Sequence, residues 1–281
     1  MIIWISSFPK SGNTWVRSII SALVYSDDGV FNFNLIKKID QFPLRKHFLE
    51  FTKDIRNIHS VKKYWILAQD RINLDNKTKF LKTHQINCNL DGYSFTNKNN
   101  TAATIYIVRD PRNVIGSISN HFSVTIEEAK NMVLGRRVLI NTGKSYEHDV
   151  VTLLGSWGEH YKFWTKKNDN LLLLKYEDIL LEPKRQLKKI ILFLKKFIKF
   201  KIDESKENNI IASTSFRNLQ DLENKTGFSE SILDERTNKK IKFFNLGYKN
   251  NFKKYLDTKI QAEVEKKFLI EMRELNYLSI I

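Results

Sequence analysis

Ile2-Ile3-Trp4-Ile5-Ser6-Ser7-Phe8-Pro9-Lys10-Ser11-Gly12-Asn13-Thr14-Trp15 opens the chain. Its first six residues read as a buried strand, Ile2 to Ser7. A short turn carrying Gly12 comes next, and then a helix from about Asn13 to Tyr25. A strand, turn and helix in that order aim free backbone N–H groups and the positive end of the helix at a bound anion. Lys10 adds a point charge, and the hydroxyls of Ser11 and Thr14 add donors. The spacing is not that of a Walker A loop, because the lysine precedes the glycine.

The same alternation continues outward from this unit. Lys79 to Thr83 and Leu171 to Lys175 are strand candidates, and Thr104 to Val108 is β-branched and apolar. Helical patterns follow Pro111 and Pro183, the latter at Leu187, Ile190, Ile191, Leu194 and Ile198. Strands alternating with helices predict an α/β fold: a central parallel β-sheet flanked by helices, with a P-loop-like strand-loop-helix at the N-terminus. With no repeat, low-complexity segment or linker, residues 1–281 are expected to form a single domain. Two stretches, 31–74 and 123–150, show no clear strand. They are expected as insertions beyond the carboxyl ends of the strands, where ligands bind.

Composition bounds the function. The chain has 281 residues, 42% of them hydrophobic, enough for a substantial core. No apolar run is long enough to span a bilayer, and no secretory signal is recognisable. The single cysteine, Cys88, allows neither an internal disulfide nor a thiolate zinc cluster. These features point to the cytoplasm. The formal charge of +16 suits an anionic substrate, but it is spread along the chain and leaves nucleic-acid binding open on charge alone.

A second anchor reads Ile105-Tyr106-Ile107-Val108-Arg109-Asp110-Pro111-Arg112-Asn113-Val114-Ile115-Gly116-Ser117. Arg109 ends a strand, Pro111 suits the first turn of a helix, and Ser117 lies within that helix. The two side chains are placed to converge on one phosphate, to which arginine is well matched through paired N–H donors.

Together, in this order, the two anchors resemble the sulfotransferase family: the first its 5′-phosphosulfate loop, the second its 3′-phosphate motif. The resemblance covers most of the chain. Lys175-Tyr176-Glu177-Asp178, then Pro183, is similar to the family's tyrosine segment, placing Tyr176 near an adenine. Ser213-Thr214-Ser215-Phe216 is similar to a nucleotide-contacting segment, in which Phe216 and Trp15 would sandwich the purine. The family usually has threonine where Asn13 stands. It also has an Arg-Lys-Gly triplet before a Gly-Asp-Trp-Lys segment, which is absent from Lys240-Ile241-Lys242-Phe243-Phe244-Asn245-Leu246-Gly247-Tyr248-Lys249-Asn250. Lys242, Lys240 or Lys249 is left to supply that charge.

The resemblance implies transfer of a sulfuryl group from 3′-phosphoadenosine 5′-phosphosulfate to a hydroxyl or amine, releasing adenosine 3′,5′-bisphosphate. Small molecules, glycans and lipids all stand as acceptors, and fold does not choose among them; the sequence names no oligomeric state. The donor would be held by Lys10, Ser11, Gly12, Asn13, Thr14, Trp15, Arg109, Ser117, Tyr176, Thr214, Ser215, Phe216 and Lys242. In Phe80-Leu81-Lys82-Thr83-His84, His84 resembles the catalytic histidine and is the expected base, with a reference pKa near neutrality. Lys10 would stabilise the leaving group, Ser117 would hold Lys10 away from the sulfate, and Lys82 would contact the sulfuryl oxygens. His121 is the rival base; His47, His59, His148 and His160 are expected as solvated loop histidines. No metal is required. Three other readings stand beside this one: a P-loop phosphotransferase, which should carry a magnesium-binding acid; a polyanion- or nucleic-acid-binding protein; and a family member without catalysis.

Overall fold

Every residue of Ile2–Ser7 is buried, and this strand, β1, runs through the middle of a five-stranded sheet. The computed structural model describes residues 1–135, 138–139, 150–166, 168–234 and 239–279. His148 and part of the 123–150 stretch lie outside the described residues. The other strands are β2 (Asp40–Gln41), β3 (Lys79–Thr83), β4 (Thr101–Val108) and β5 (Leu171–Lys175). Their order is β2-β3-β1-β4-β5, all parallel. The expected parallel sheet is thus present, with β4 starting three residues earlier than its β-branched run suggests.

Alternate residues of these strands enter two cores, one on each face. Ile2 and Trp4 of β1 and Tyr106 and Val108 of β4 pack on one side, where Trp65, Trp157 and Trp164 are also buried. Ile3, Ile5, Ile105, Ile107 and Leu174 pack on the other, against α1 (Asn13–Tyr25) and the helix Pro183–Leu194. A sheet covered on both faces accounts for the nearly unbroken apolar runs of its strands.

The stretch 31–74, read as having no clear strand, contains one. Asp40–Gln41 adds a short edge strand beside β3, in register with Leu81 and Lys82. Two residues are too few to leave a periodic signature. Phe42, Phe48 and Trp65 from this stretch are core residues with no exposed surface.

The chain passes from β1 to β3 on one side, then crosses back to β4 on the other. That reversal puts a crevice between the carboxyl ends of β1 and β4, where ligands of open α/β sheets bind.

Candidate active site

Four neighbouring strands deliver a side chain to this crevice just beyond their last residues. The loop with Lys10 follows β1, His84 follows β3, Arg109 follows β4 and Tyr176 follows β5. In the loop, Lys10 (φ 64°) and Gly12 (φ 104°) take left-handed backbone conformations. Gly12 has a second constraint: a Cβ there would stand 2.6 Å from Cδ2 of Tyr176. Asn13 turns away from the crevice and ties the helix to β1, its amide donating to the carbonyl of Ile5 (3.0 Å) and to Ser7 Oγ (3.3 Å). No side chain caps the start of α1, so its first-turn N–H groups remain available to an anion.

The cations here are poorly partnered. Lys10 Nζ is buried without a hydrogen bond and sits 3.8 Å from the centroid of the Phe243 ring. Burial, with the charges of Arg109 and Lys82 beside it and Glu230 opposing, lowers its pKa to about 7. Arg109 donates through Nη1 to the carbonyl of Lys10 (3.1 Å) and lies 4.1 Å over the ring of Tyr176, while its Nε has no partner. Ser11 Oγ is also buried and unpaired. Unsatisfied buried donors are costly, and three of them around one crevice mark a place suited to an oxygen-rich anion.

Lys82 is buried on β3, its ammonium 3.6 Å from Glu230 Oε1. Glu230 also accepts from Thr14 Oγ1 (2.8 Å) and Arg17 Nη1 (2.6 Å). Burial works to raise the pKa of this carboxyl, but the charges of Lys82 and Arg17 hold it well below the usual range.

His84 Nδ1 lies 2.7 Å from the carbonyl oxygen of Ser7. A carbonyl can only accept, so Nδ1 carries the proton and Nε2 keeps the lone pair. Burial, reinforced by Lys82, lowers the pKa of His84 to about 3, so the ring is neutral at physiological pH. The backbone around it is bracketed by α2 (Trp157–Thr165). Trp164 Nε1 donates to the carbonyl of Gln85 (2.9 Å), His160 Nε2 to that of His84 (3.1 Å), and Trp157 Nε1 to that of Arg109 (3.1 Å). One helix face therefore fixes the ends of both β3 and β4. His160 is not the solvated loop histidine expected: it has no exposed surface, and its Nδ1 accepts from Tyr106 Oη (2.8 Å). His47 also departs from that expectation, accepting from the N–H of Leu44 (3.1 Å), whereas His59 is largely exposed.

Trp15 lies near the edges of two rings, at 5.5 Å from Tyr176 and 6.2 Å from Phe216 between centroids. Its indole donates to the carbonyl of Thr214 (2.7 Å), whose own hydroxyl bonds back to Ile210. Ser215 Oγ caps the helix Phe216–Thr226. The Thr214 and Ser215 hydroxyls thus serve the backbone that places Trp15 and Phe216. Ser117 lies half-buried on the helix Pro111–Phe122, one turn before His121. The buried ring of His121 packs edge-on against Phe243 (5.5 Å), with Nδ1 unpaired and a pKa lowered to about 3, chiefly by burial. Lys240, Lys242 and Lys249 are exposed.

A sequence profile of the sulfotransferase domain matches residues 2–276. The chain belongs to the sulfotransferase family. It is 26% identical to human sulfotransferase 1C2 over 258 residues, covering 88% of this chain and 76% of that protein. Cytosolic sulfotransferase 7 of Arabidopsis thaliana is 26% identical over 279 residues, with coverages of 94% and 76%. Among solved structures, mouse sulfotransferase SULT7A1 complexed with PAP superposes with a TM-score of 0.58 at 22% identity, covering 96% of this chain and 84% of that one. The overall fold thus recurs in a solved sulfotransferase. The match favours sulfuryl transfer over the phosphotransferase reading. No helix among the described residues is long and apolar enough to cross a membrane.

Three residues of the candidate site escape motif reading. Arg17 follows Thr14 by one helical turn and is buried; being the one charged residue of α1 is its only signal. Phe243 stands under Lys10 within the segment that lacks the family's basic triplet. Glu230 reaches Thr14 across 216 residues and has no local pattern at all.

Proposed function

We propose that this enzyme transfers the sulfuryl group of 3′-phosphoadenosine 5′-phosphosulfate to a hydroxyl or amine of a small-molecule acceptor, with His84 as general base. The observation that carries the reading is the convergence of Lys10, His84, Arg109 and Tyr176 at adjacent strand ends, with donor atoms buried and unpaired between them. PAP bound to the mouse neighbour supports the same donor. The donor supplies an activated sulfur and a stable leaving group.

Each group has a role that its position supports. Lys10, Ser11 and the first-turn N–H groups of α1 would hold the 5′ end. Arg109 would turn to the 3′-phosphate, with Ser117 beside it, and Trp15, Phe216 and Tyr176 would enclose the purine. His84, neutral and with its lone pair on Nε2, would take the acceptor's proton as the acceptor oxygen or nitrogen bonds to sulfur and the sulfur–bridge oxygen bond breaks. Lys10 and Lys82 would stabilise charge on the bridge and sulfuryl oxygens, a task of positioning and electrostatics like that of phosphoryl transfer. The test is to supply radiolabelled donor with a panel of phenols, alcohols and amines. Labelled product is expected; binding of adenosine 3′,5′-bisphosphate without transfer to any acceptor would favour a non-catalytic member.

A further inference from the structure

Glu230 lies where the donor's anion should lie. Its two oxygens engage Thr14 Oγ1 at 2.8 Å and Arg17 Nη1 at 2.6 Å, and Lys82 Nζ is 3.6 Å away. The family resemblance implies that Thr14 and Lys82 contact the donor's phosphosulfate end. The Thr14 hydroxyl has one proton to donate, so it cannot serve a carboxylate and a phosphosulfate at once, and two anions this close repel each other. We propose that Glu230 is a resident competitor for this site: it occupies the anion position in the free enzyme, the incoming donor displaces it, and Arg17 is then released to become a further contact to the donor.

The surrounding chain fits such an exchange. Phe228 is buried against Phe33, Phe243 and Phe244 and so anchors the segment two residues away. Ser229 is exposed, and Gly227 has a φ of 70°. On the other side the Ser231 hydroxyl is held by Glu223, so the exchange requires movement of the Glu230 side chain and the exposed Ser229 between two fixed points. Lys10 Nζ, within electrostatic reach of Glu230, and Ser11 Oγ in the same loop remain unpaired, so the carboxylate leaves donors of this loop unsatisfied. Arg17 Nε is likewise buried and unpaired, and no reading of the family motifs gives that side chain a role.

This inference rests on the donor proposed for the enzyme, and the experiment separates the two. Adenosine 3′,5′-bisphosphate binding to the full chain is measured by calorimetry for wild type, Glu230→Gln and Glu230→Gln/Arg17→Gln. An occupied state lowers apparent affinity by the fraction of molecules that are open. Glu230→Gln is therefore expected to bind at least tenfold more tightly, and adding Arg17→Gln to reverse most of that gain. Equal or weaker binding by Glu230→Gln, with wild type binding normally, overturns the displacement. Failure of both to bind overturns the donor assignment itself and this inference with it. A second measurement leaves Glu230 in place. Because Cys88 is buried, Ser229→Cys can be labelled selectively with an environment-sensitive dye. Its emission is expected to change in step with ligand binding, and constant emission through a full calorimetric titration overturns the displacement.

Discussion

Arg109 Nη1 donates to the carbonyl oxygen of Lys10 at 3.1 Å. The two anchor motifs, 99 residues apart in sequence, therefore meet in one crevice. The contact uses the lysine's backbone and leaves its ammonium over Phe243. In the proposed complex, one nucleotide would span both anchors, with Arg109 turning from Tyr176 to the 3′-phosphate.

His84→Ala is expected to lower turnover by roughly 10²–10⁴-fold, the usual contribution of a positioned base, while leaving adenosine 3′,5′-bisphosphate affinity nearly unchanged. Steady-state kinetics and calorimetry on the same preparation check both halves. Undiminished turnover would remove His84 from the mechanism and turn attention to His121.

Lys10 should make donor binding pH-dependent. Its pKa of about 7 in the free enzyme lies below the ordinary 10.5, so above pH 7 the site begins to lose its cation and an anion must draw a proton back. Affinity is expected to fall by up to about tenfold per pH unit above 7. The same depression makes folding stability rise through this window, since the unfolded chain binds the extra proton. Lys10→Met should flatten both dependences, measured by titrations and thermal melts from pH 7 to 9.

His160 predicts the opposite limb. Its pKa is lowered from 6.5 to about 3 by burial, so below pH 6.5 the unfolded state gains a proton that the folded state refuses. Stability is lost as pH falls from 6.5 toward 3, by about 1.4 kcal/mol at pH 5.5 from this group alone. Denaturant titrations of wild type and His160→Gln should show the smaller acid loss in the variant.

Gly12→Ala would combine a φ of 104° with a Cβ 2.6 Å from the Tyr176 ring. We expect a loss of at least about 1 kcal/mol in stability and a marked weakening of nucleotide binding. Normal binding by this variant would show that the loop does not need its present shape.

These residues also show what the sequence makes legible. Lys10, His84, Arg109 and Tyr176 each follow a strand with an apolar, local signature, so their placement at one sheet edge could be read without coordinates. His160 could have been read too: Trp157, Tyr161 and Trp164 recur at helical spacing around it, which marks an inward face. Asp40–Gln41 and Glu230 could not. The strand is shorter than any period, and the carboxylate's three partners come from elements brought together only by the tertiary fold.

Tying four functional groups to four strand ends makes their geometry a matter of backbone register. Inserting one residue inside Lys79–Thr83 would advance the downstream residues by about 3.3 Å and reverse the side they face, removing His84 from the crevice. Connections outside the Lys10 loop and α2 carry no such register constraint. Length changes in those connections therefore leave the strand-end geometry in place, whereas a one-residue change inside a strand does not.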